Sequence, residues 1–140
     1  MPFEDILGQD HAIELICHSV HMDRMPHAWL FTGQANIGKF KTAVALAQKL
    51  NCSEIHEDAC GKCDFCLQIK EEIFPDFLVL RPEGKFIKID QVRNSLNWLN
   101  LHLDQAKKRV LIIDGAEHLG REAANAFLKT LEEPAPNTII

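Results

Sequence analysis

Apolar residues follow two alternating patterns along this chain: short continuous runs and helical spacings. Runs of four apolar residues cover 28–31, 77–80 and 110–113. Between and after them, apolar residues recur three and four positions apart, at Ile13, Ile16, Cys17 and Val20; Ala43, Leu46, Ala47 and Leu50; Val92, Leu96 and Leu99; Ala124, Phe127, Leu128 and Leu131. Short runs bounded by turn residues are typical of buried parallel strands, and the wider spacing is typical of amphipathic helices. The chain is therefore predicted to be an α/β protein with a parallel sheet flanked by helices.

The ends of these predicted elements carry further signals. Asp10 and Asp90 each precede a helical pattern, and a carboxylate there is predicted to cap the helix. The last helix is predicted to cover Arg121 to Glu133, before a proline pair. Residues 137–140 begin another apolar strand, and the sequence stops inside it. The expectation is one domain over residues 1–140 that is incomplete at its C-terminus.

Composition and charge exclude several classes of protein. Apolar residues make up 46% and charged residues 25% of the 140 positions, as in ordinary globular domains. No run approaches the roughly 20 apolar residues of a membrane helix, and no basic and apolar leader begins the chain. The net charge of −5 argues against a nucleic-acid surface over the whole chain. The basic residues 107–109 are predicted to be the solvated start of a strand rather than a nucleic-acid site.

Gly33 and Gly38 bracket a loop between the run at 28–31 and the next helix, and Lys39 follows directly. This order and spacing are typical of a phosphate-binding P-loop, whose backbone N–H groups and helix N-terminus hold the anion. In such loops the next residue supplies a hydroxyl to Mg²⁺, but here it is Phe40. The pattern predicts a P-loop shape and leaves the binding of ATP and Mg²⁺ in doubt. The alternative is a glycine turn with a solvated lysine.

Asp114 ends the apolar run at 110–113 and is predicted to lie at the C-terminal edge of the sheet. In P-loop ATPases such a carboxylate supports Mg²⁺. Hydrolytic members commonly place a glutamate next, but this chain has Gly115, and Glu117 lies two positions further. No catalytic residue is assigned. The predicted nucleotide site is degenerate and comprises Gly33, Gly38, Lys39 and Asp114.

Four of the five cysteines cluster after the second predicted helix, at Cys52, Cys60, Cys63 and Cys66. Two tight C-x-x-C spacings among four thiols suit a closed, tetrahedral, structural Zn²⁺ site. An iron–sulfur cluster is compatible with the same spacing. His56 lies within this insert, which covers about residues 52–66, and is redundant once four cysteines are counted. The insert is predicted to lie at the periphery of the fold.

Together these stretches resemble the N-terminal AAA+ domain of the bacterial clamp-loader subunits of DNA polymerase III. The resemblance rests on residues 3–9, the strand and loop at 27–39, the cysteine module, the Asp114 strand and the segment 125–134. It implies a RecA-like sheet of five parallel strands with helices on both faces and zinc at the periphery. It also implies a cytoplasmic bacterial protein that works at the nucleoid in the replisome, within a nucleotidyltransferase holoenzyme.

The same resemblance implies partners and a type of subunit. Clamp loaders contain an ATP-hydrolysing motor, gamma or tau, and a mostly non-hydrolysing subunit, delta prime. Phe40, Gly115 and the segment 74–93 match the delta prime pattern. A delta prime subunit would contact gamma or tau and delta, and through them the sliding clamp and primed DNA. Its loading role would not require its own ATPase activity.

Two other functions remain open from the sequence. One is an active ATPase, either the gamma or tau motor or another AAA+ protein, against which Phe40 and Gly115 argue. The other is an independent zinc protein that binds nucleic acid through its cysteine module. Aromatic and basic residues do not alternate around that module, so this last function has little support.

Overall fold

Regular structure in residues 2–54 and 57–140, the part of the chain described by this computed structural model, consists of five α-helices, three β-strands and two short 3-10 turns. The helices are α1 (Asp10–His21), α2 (Lys39–Asn51), α3 (Asp64–Lys70), α4 (Ile89–Leu99) and α5 (Arg121–Glu132). The strands are β1 (Phe77–Leu80), β2 (Arg109–Ile113) and β3 (Thr138–Ile139). These elements form two units, Met1–Phe74 with α1 to α3, and Pro75–Ile140 with α4, α5 and the strands.

The strands of the second unit form a parallel sheet in the order β1-β2-β3. Phe77 pairs with Val110, and Val110 pairs in turn with Ile139. The strands predicted at 77–80 and 110–113 are therefore confirmed, as is the α/β class. Parallel neighbours need a crossover between them, and here α4 and α5 provide the two crossovers.

The core of the second unit lies between its helices and its sheet. Leu111 of β2, Val92 of α4 and Phe127 of α5 are almost fully buried in one apolar cluster. This packing accounts for the helical spacing of apolar residues in both helices. The helix predicted from Arg121 to Glu133 ends one residue earlier in the structure.

The first unit has its own apolar cluster between its N-terminal segment and two helices. Phe3 and Ile6 from the N-terminal segment pack with Ile16 of α1 and with Ala45 and Leu46 of α2. A short 3-10 turn, Phe3–Asp5, presents Phe3 to this cluster. The N-terminal residues are thus part of the core of this unit.

The run at 28–31, predicted to be the first strand, is not a strand in the structure. Its side chains still alternate: Trp29 and Phe31 pack on the apolar cluster with their rings edge to face at 6.4 Å, while Leu30 is 80% exposed. A strand is defined by its hydrogen-bonded neighbour, and the three described strands pair among themselves. An apolar run thus predicts which of its side chains are buried, but it does not predict the strand with which the run pairs.

Arg109 corrects another prediction, because it is buried rather than solvated. Its side chain is 4% exposed and its Nη2 lies 2.7 Å from Oδ1 of Asp76, which is 1% exposed. The guanidinium also donates to the carbonyls of Trp98, Leu99, Leu101 and His102. Asp76 Oδ2 accepts the backbone N–H groups of Asp104, Gln105 and Ala106. This ion pair ties the end of α4 and the loop 101–106 to the sheet.

The described helices can also be compared with the requirements of a membrane-spanning helix. Within residues 2–54 and 57–140, no helix combines the length and the apolar character that a bilayer crossing requires.

Candidate functional site

Helix α2 carries a predicted site at each end. Its N-cap residue is Gly38, the last glycine of the loop, and its C-cap residue is Cys52, the first cysteine of the module. Thirteen residues at 1.5 Å each place these ends about 20 Å apart. The glycine loop and the cysteines are therefore two separate sites on one rigid element.

The glycine loop adopts backbone conformations that explain its sequence. Gly33 has φ 145° and Gly38 has φ 100°, and Asn36 between them has φ 60°. Such positive values are accessible to glycine and, less easily, to asparagine. The amide of Gln9 donates to the carbonyl of Ile37 at 3.1 Å and holds the loop against the start of α1. The two glycines and Asn36 therefore explain how the sequence specifies the predicted conformation of this loop.

Lys39 folds back onto this loop. Its Nζ donates to the carbonyl oxygens of Gly33, at 2.9 Å, and Gln34, at 2.7 Å. The structure therefore brings together three of the predicted nucleotide-site residues, Gly33, Gly38 and Lys39. A bound phosphate would have to compete with two carbonyls for the ammonium group.

No side-chain hydroxyl stands at the position next to the lysine. Phe40 occupies it, and the nearest hydroxyl on the helix belongs to Thr42. Thr42 is 5% exposed and its Oγ1 donates to the carbonyl of Gly38 at 2.9 Å. Thr42 is thus buried and lies two positions beyond the metal-ligand position, so no hydroxyl of α2 stands at the position that supplies the Mg²⁺ ligand in a P-loop.

Asp114, the fourth predicted residue, belongs to the second unit and follows β2. Its backbone N–H donates to Leu80, and its Oδ2 lies 3.7 Å from Nε of Arg81. Both side chains are nearly half exposed, so this ion pair is weak. The carboxylate does follow the end of a buried strand, as the sequence predicted.

Gly115 adopts a conformation that excludes most side chains. Its φ is 86°, and a Cβ placed there would lie 2.9 Å from Cδ2 of His118. Glu117 lies in the next short turn with Oε1 3.8 Å from Nε2 of His118. A glutamate at position 115 would thus meet both backbone strain and a close contact.

The four cysteines converge in the first unit. Their Sγ atoms all lie within 4.8 Å of one another, and those of Cys52 and Cys63 are 3.9 Å apart. All four are free thiols, with Cys52 and Cys66 buried. Four sulfurs at about 2.3 Å from a tetrahedral Zn²⁺ are about 3.8 Å apart. The donor set and its spacing therefore fit a metal ion without a large rearrangement.

Helix ends and backbone N–H groups position these thiols. Cys63 is the N-cap of α3 and Cys66 lies in its first turn. The N–H of Cys60 points to Sγ of Cys52 at 3.5 Å, and the N–H of Cys63 to Sγ of Cys60 at 3.3 Å. Such N–H···S bonds stabilise thiolates and orient metal ligands.

The thiols also differ in acidity. Burial favours a higher pKa at Cys63, but hydrogen bonds from the Ser53 side chain and backbone, and from Cys66, lower it to about 6. Burial raises the pKa of Cys52 and of Cys66, and the neighbouring Cys63 thiol raises that of Cys66 further. Several thiols packed this closely cannot all ionise in water without a cation, which agrees with a metal-binding role.

Two residues at this site were missed by the sequence analysis. Gln48 of α2 is fully buried and its amide donates to the carbonyl of Cys66 at 2.7 Å. Asp58 accepts the N–H of Ala59 at 2.6 Å and of Glu4 at 3.2 Å. A polar residue within the apolar spacing of α2 was the available signal for Gln48. His56 lies outside the described residues.

Known proteins similar to this chain include subunits of DNA polymerase III. The sequence profile of a family described as "DNA polymerase III, delta subunit" matches residues 8–140. DNA polymerase III subunit delta' of Haemophilus influenzae is 41% identical over 80% of this chain and 35% of its own length. DNA polymerase III subunit gamma of Buchnera aphidicola from Acyrthosiphon pisum is 35% identical over 94% of this chain and 37% of its own length. The chain thus spans about a third of these relatives.

Among solved structures, a gamma subunit-related protein of DNA polymerase III from Thermotoga maritima is similar to part of the chain. It is 32% identical, with a TM-score of 0.46, over 55% of this chain and 28% of that protein.

Proposed function

The chain belongs to the DNA polymerase III, delta subunit family, and on that premise we propose that it is a clamp-loader subunit of the delta prime type. In this role it is a largely non-hydrolysing AAA+ scaffold that helps to load the sliding clamp onto primed DNA during replication. Residues 1–140 would form its N-terminal AAA+ domain, with the cysteine insert at about 52–66. It would work in the bacterial cytoplasm, at the replisome on the nucleoid.

The observation that carries the choice of delta prime is the glycine loop without a metal ligand. Phe40 replaces the hydroxyl residue, and the hydroxyl of Thr42 donates to Gly38. Mg²⁺ neutralises much of the charge that develops in phosphoryl transfer, so its loss removes a large part of catalysis. We propose that Gly33, Gly38 and Lys39 in the first unit, and Asp114 in the second, are degenerate nucleotide-binding residues that do not complete a magnesium centre.

Gly115 supports the same choice from the second unit. Hydrolysis requires a group that orients the attacking water. The left-handed backbone at Gly115 strains any other residue there, and the His118 ring would have to move aside for a glutamate. Two separate requirements of hydrolysis are thus unmet at two separate positions.

We further propose that the four cysteines hold one structural Zn²⁺ ion. Four thiolates complete a tetrahedral shell, so no coordination position remains for a substrate. Zinc bound here would link the C-terminal end of α2, through Cys52, to the first turn of α3, through Cys66. Its contribution would be to the folding of the first unit, not to chemistry.

The alternative is a gamma or tau motor subunit, because relatives with those names are nearly as similar as the delta' relatives. A motor would hydrolyse ATP with Mg²⁺ and a delta prime subunit would not. Both subunit types would be found in the same complex, so assembly tests the shared proposal and hydrolysis separates the two.

Assembly is tested with the full-length protein, gamma and delta, mixed at micromolar concentrations and separated by size exclusion. The three are expected to co-elute as one complex that then binds the sliding clamp. A matched mixture without this protein shows which species form in its absence. Separate elution of a folded protein from folded gamma and delta would contradict the clamp-loader assignment.

A further inference from the structure

The N-terminal segment, defined as residues 2–6, is attached to the cysteine module by a carboxylate. Oδ2 of Asp58 accepts the backbone N–H of Glu4 at 3.2 Å, while Oδ1 accepts the N–H of Ala59 at 2.6 Å. Ala59 is 4% exposed and packs with Cys52 and Cys66. Asp58 therefore bridges the packed interior of the module and a segment 54 positions away in sequence.

A second contact joins the same two parts. Gly61, between Cys60 and Cys63, has φ 69°, and a Cβ placed on it would lie 3.3 Å from Cδ of Pro2. The proline ring therefore sits against bare backbone of the module. A side chain at position 61 would press on Pro2 as well as strain the turn.

The other side of the N-terminal segment faces the glycine loop. Phe3 and Ile6 are 4% and 6% exposed in the cluster with α1 and α2. A Cβ on Gly38 would lie 4.0 Å from Cγ2 of Ile6, in ordinary contact. The segment thus lies between the cysteine module and the start of α2.

From this arrangement we infer that metal at the four cysteines anchors the N-terminal segment and, through Ile6, the packing at the last glycine of the loop. Described residues 57–63 contain no helix or strand, so the conformation that presents Asp58 and Gly61 depends on the cysteines. Closing the four-sulfur shell fixes such a loop, and opening it releases the loop. The inference rests on the proposed zinc site and goes beyond it, because it assigns the metal an effect outside the module.

Hydrogen exchange of the full-length protein tests this inference. Zinc content is measured first, and the zinc-loaded protein is then compared with protein stripped by a chelator under reducing conditions. Amides of residues 3–8 and 33–38 are expected to exchange at least about tenfold faster after stripping, and to recover when zinc alone is restored. Residues 44–47 in the middle of α2 serve as the internal reference for unfolding of the first unit, with unchanged exchange.

Asp58→Ala separates the anchor from the metal. This variant keeps all four sulfur ligands, so its zinc content should equal that of the natural protein. Its amides at 3–8 should nevertheless exchange about tenfold faster, because Glu4 loses a charged acceptor. Glu57→Ala is the matched control, an adjacent exposed carboxylate, and should leave both zinc content and exchange unchanged.

The possible failures are distinguishable. Absence of zinc from the natural protein would overturn the zinc site and the anchor together. One equivalent of zinc, with unchanged exchange at residues 3–8 after stripping, would retain the zinc site and overturn the anchor. Should Asp58→Ala fail to fold, the stripping and reloading of the natural protein still decides.

Discussion

At the scale of single residues, the side chain of Arg109 is fixed by an ion pair, by backbone carbonyls and by an aromatic ring. Its Nε and Nη2 both donate to Oδ1 of Asp76, and its Cζ lies 5.0 Å from the centroid of the Trp98 ring. Its Nη1 donates to backbone carbonyls at the end of α4. A buried charge with every donor engaged is stable as a network, and removal of one partner leaves the other charge unpaired. The sheet of the second unit therefore depends on a polar pair inside its apolar surroundings.

Asp76→Asn should reveal this dependence. The substitution keeps the shape of the side chain but removes its charge, and the free energy of unfolding should fall by about 3–5 kcal/mol. Urea denaturation of the 140-residue chain measures it. Asp104→Asn, an exposed carboxylate nearby, should change stability by less than about 0.5 kcal/mol. Equal effects of the two substitutions would contradict a special role for the pair.

The same carboxylate should make stability depend on pH. Burial favours a higher pKa for Asp76, but Arg109 and the N–H groups of residues 104–106 outweigh burial and lower it. A lowered folded-state pKa stabilises the fold fully above the ordinary aspartate pKa of about 3.9, and this contribution is lost as the pH falls below it. The stability difference between the natural chain and Asp76→Asn should therefore shrink below about pH 4. A constant difference from pH 7 to pH 3 would exclude this linkage.

The cysteines allow an internal comparison. Cys63→Ser should abolish tight metal binding, because a neutral hydroxyl replaces one of four thiolates. Cys17 lies on α1 outside the module, so Cys17→Ser should retain about one equivalent of zinc. Metal analysis of protein purified without added zinc measures both. Iron with visible absorbance would show that the site holds an iron–sulfur cluster and not zinc. Metal retained in Cys63→Ser would show that Cys63 is not a ligand.

At the scale of elements, the glycine loop illustrates how backbone conformation selects residues. Gly38→Ala should cost about 1–2 kcal/mol through left-handed strain alone, since only Ile6 lies within 4 Å of the new Cβ. Asn36→Gly, at φ 60° in the same loop, should change stability by about 0.5 kcal/mol or less. Thermal or urea unfolding compares the two. A tolerated Gly38→Ala would mean that the loop relaxes to negative φ.

Element ends were harder to predict from the sequence than the elements. Asp10 and Asp90 were predicted to be caps, but both are helical residues in the first turn, preceded by caps Gln9 and Lys88. Gln91 instead accepts the N–H of Lys88 at 2.8 Å and closes the start of α4. A carboxylate stabilises a first helical turn as well as a cap position. The presence of an aspartate therefore does not by itself distinguish the N-cap position from the first turn of the helix.

Long-range pairing explains the other differences between sequence and structure. Buried runs predicted β1 and β2, and cysteine spacing predicted a cluster that the structure brings together. The Arg109–Asp76 pair could not be read from either segment, since it requires the register that sets Val110 opposite Phe77. The run at 28–31 had the apolar residues of a strand but no described ladder. The local pattern of apolar residues therefore predicts which side chains are buried, whereas the strand or side chain that each one pairs with is set by the whole fold.

At the scale of the whole molecule, the proposed role depends on surfaces rather than on turnover. The purified chain is expected not to hydrolyse ATP at a useful rate, because Phe40 and Gly115 remove a metal ligand and a water-orienting group. Phosphate release with Mg²⁺ and saturating ATP measures this. Turnover of about one per second or faster, typical of working enzymes, would favour the motor alternative.

The left-handed turn at Gly115 bears on the evolutionary history open to such a chain. If a related motor carries glutamate here, a single codon change back from glycine would place a side chain on a backbone with φ 86°, against the ring of His118. The intermediate would be destabilised before any activity returned, and Phe40 would still deny the metal. In a lineage that adopts this turn, the return of hydrolysis would therefore take at least two changes, at positions 40 and 115, and the second would cost stability. Hydrolysis is thus more easily lost than regained once this turn is in place.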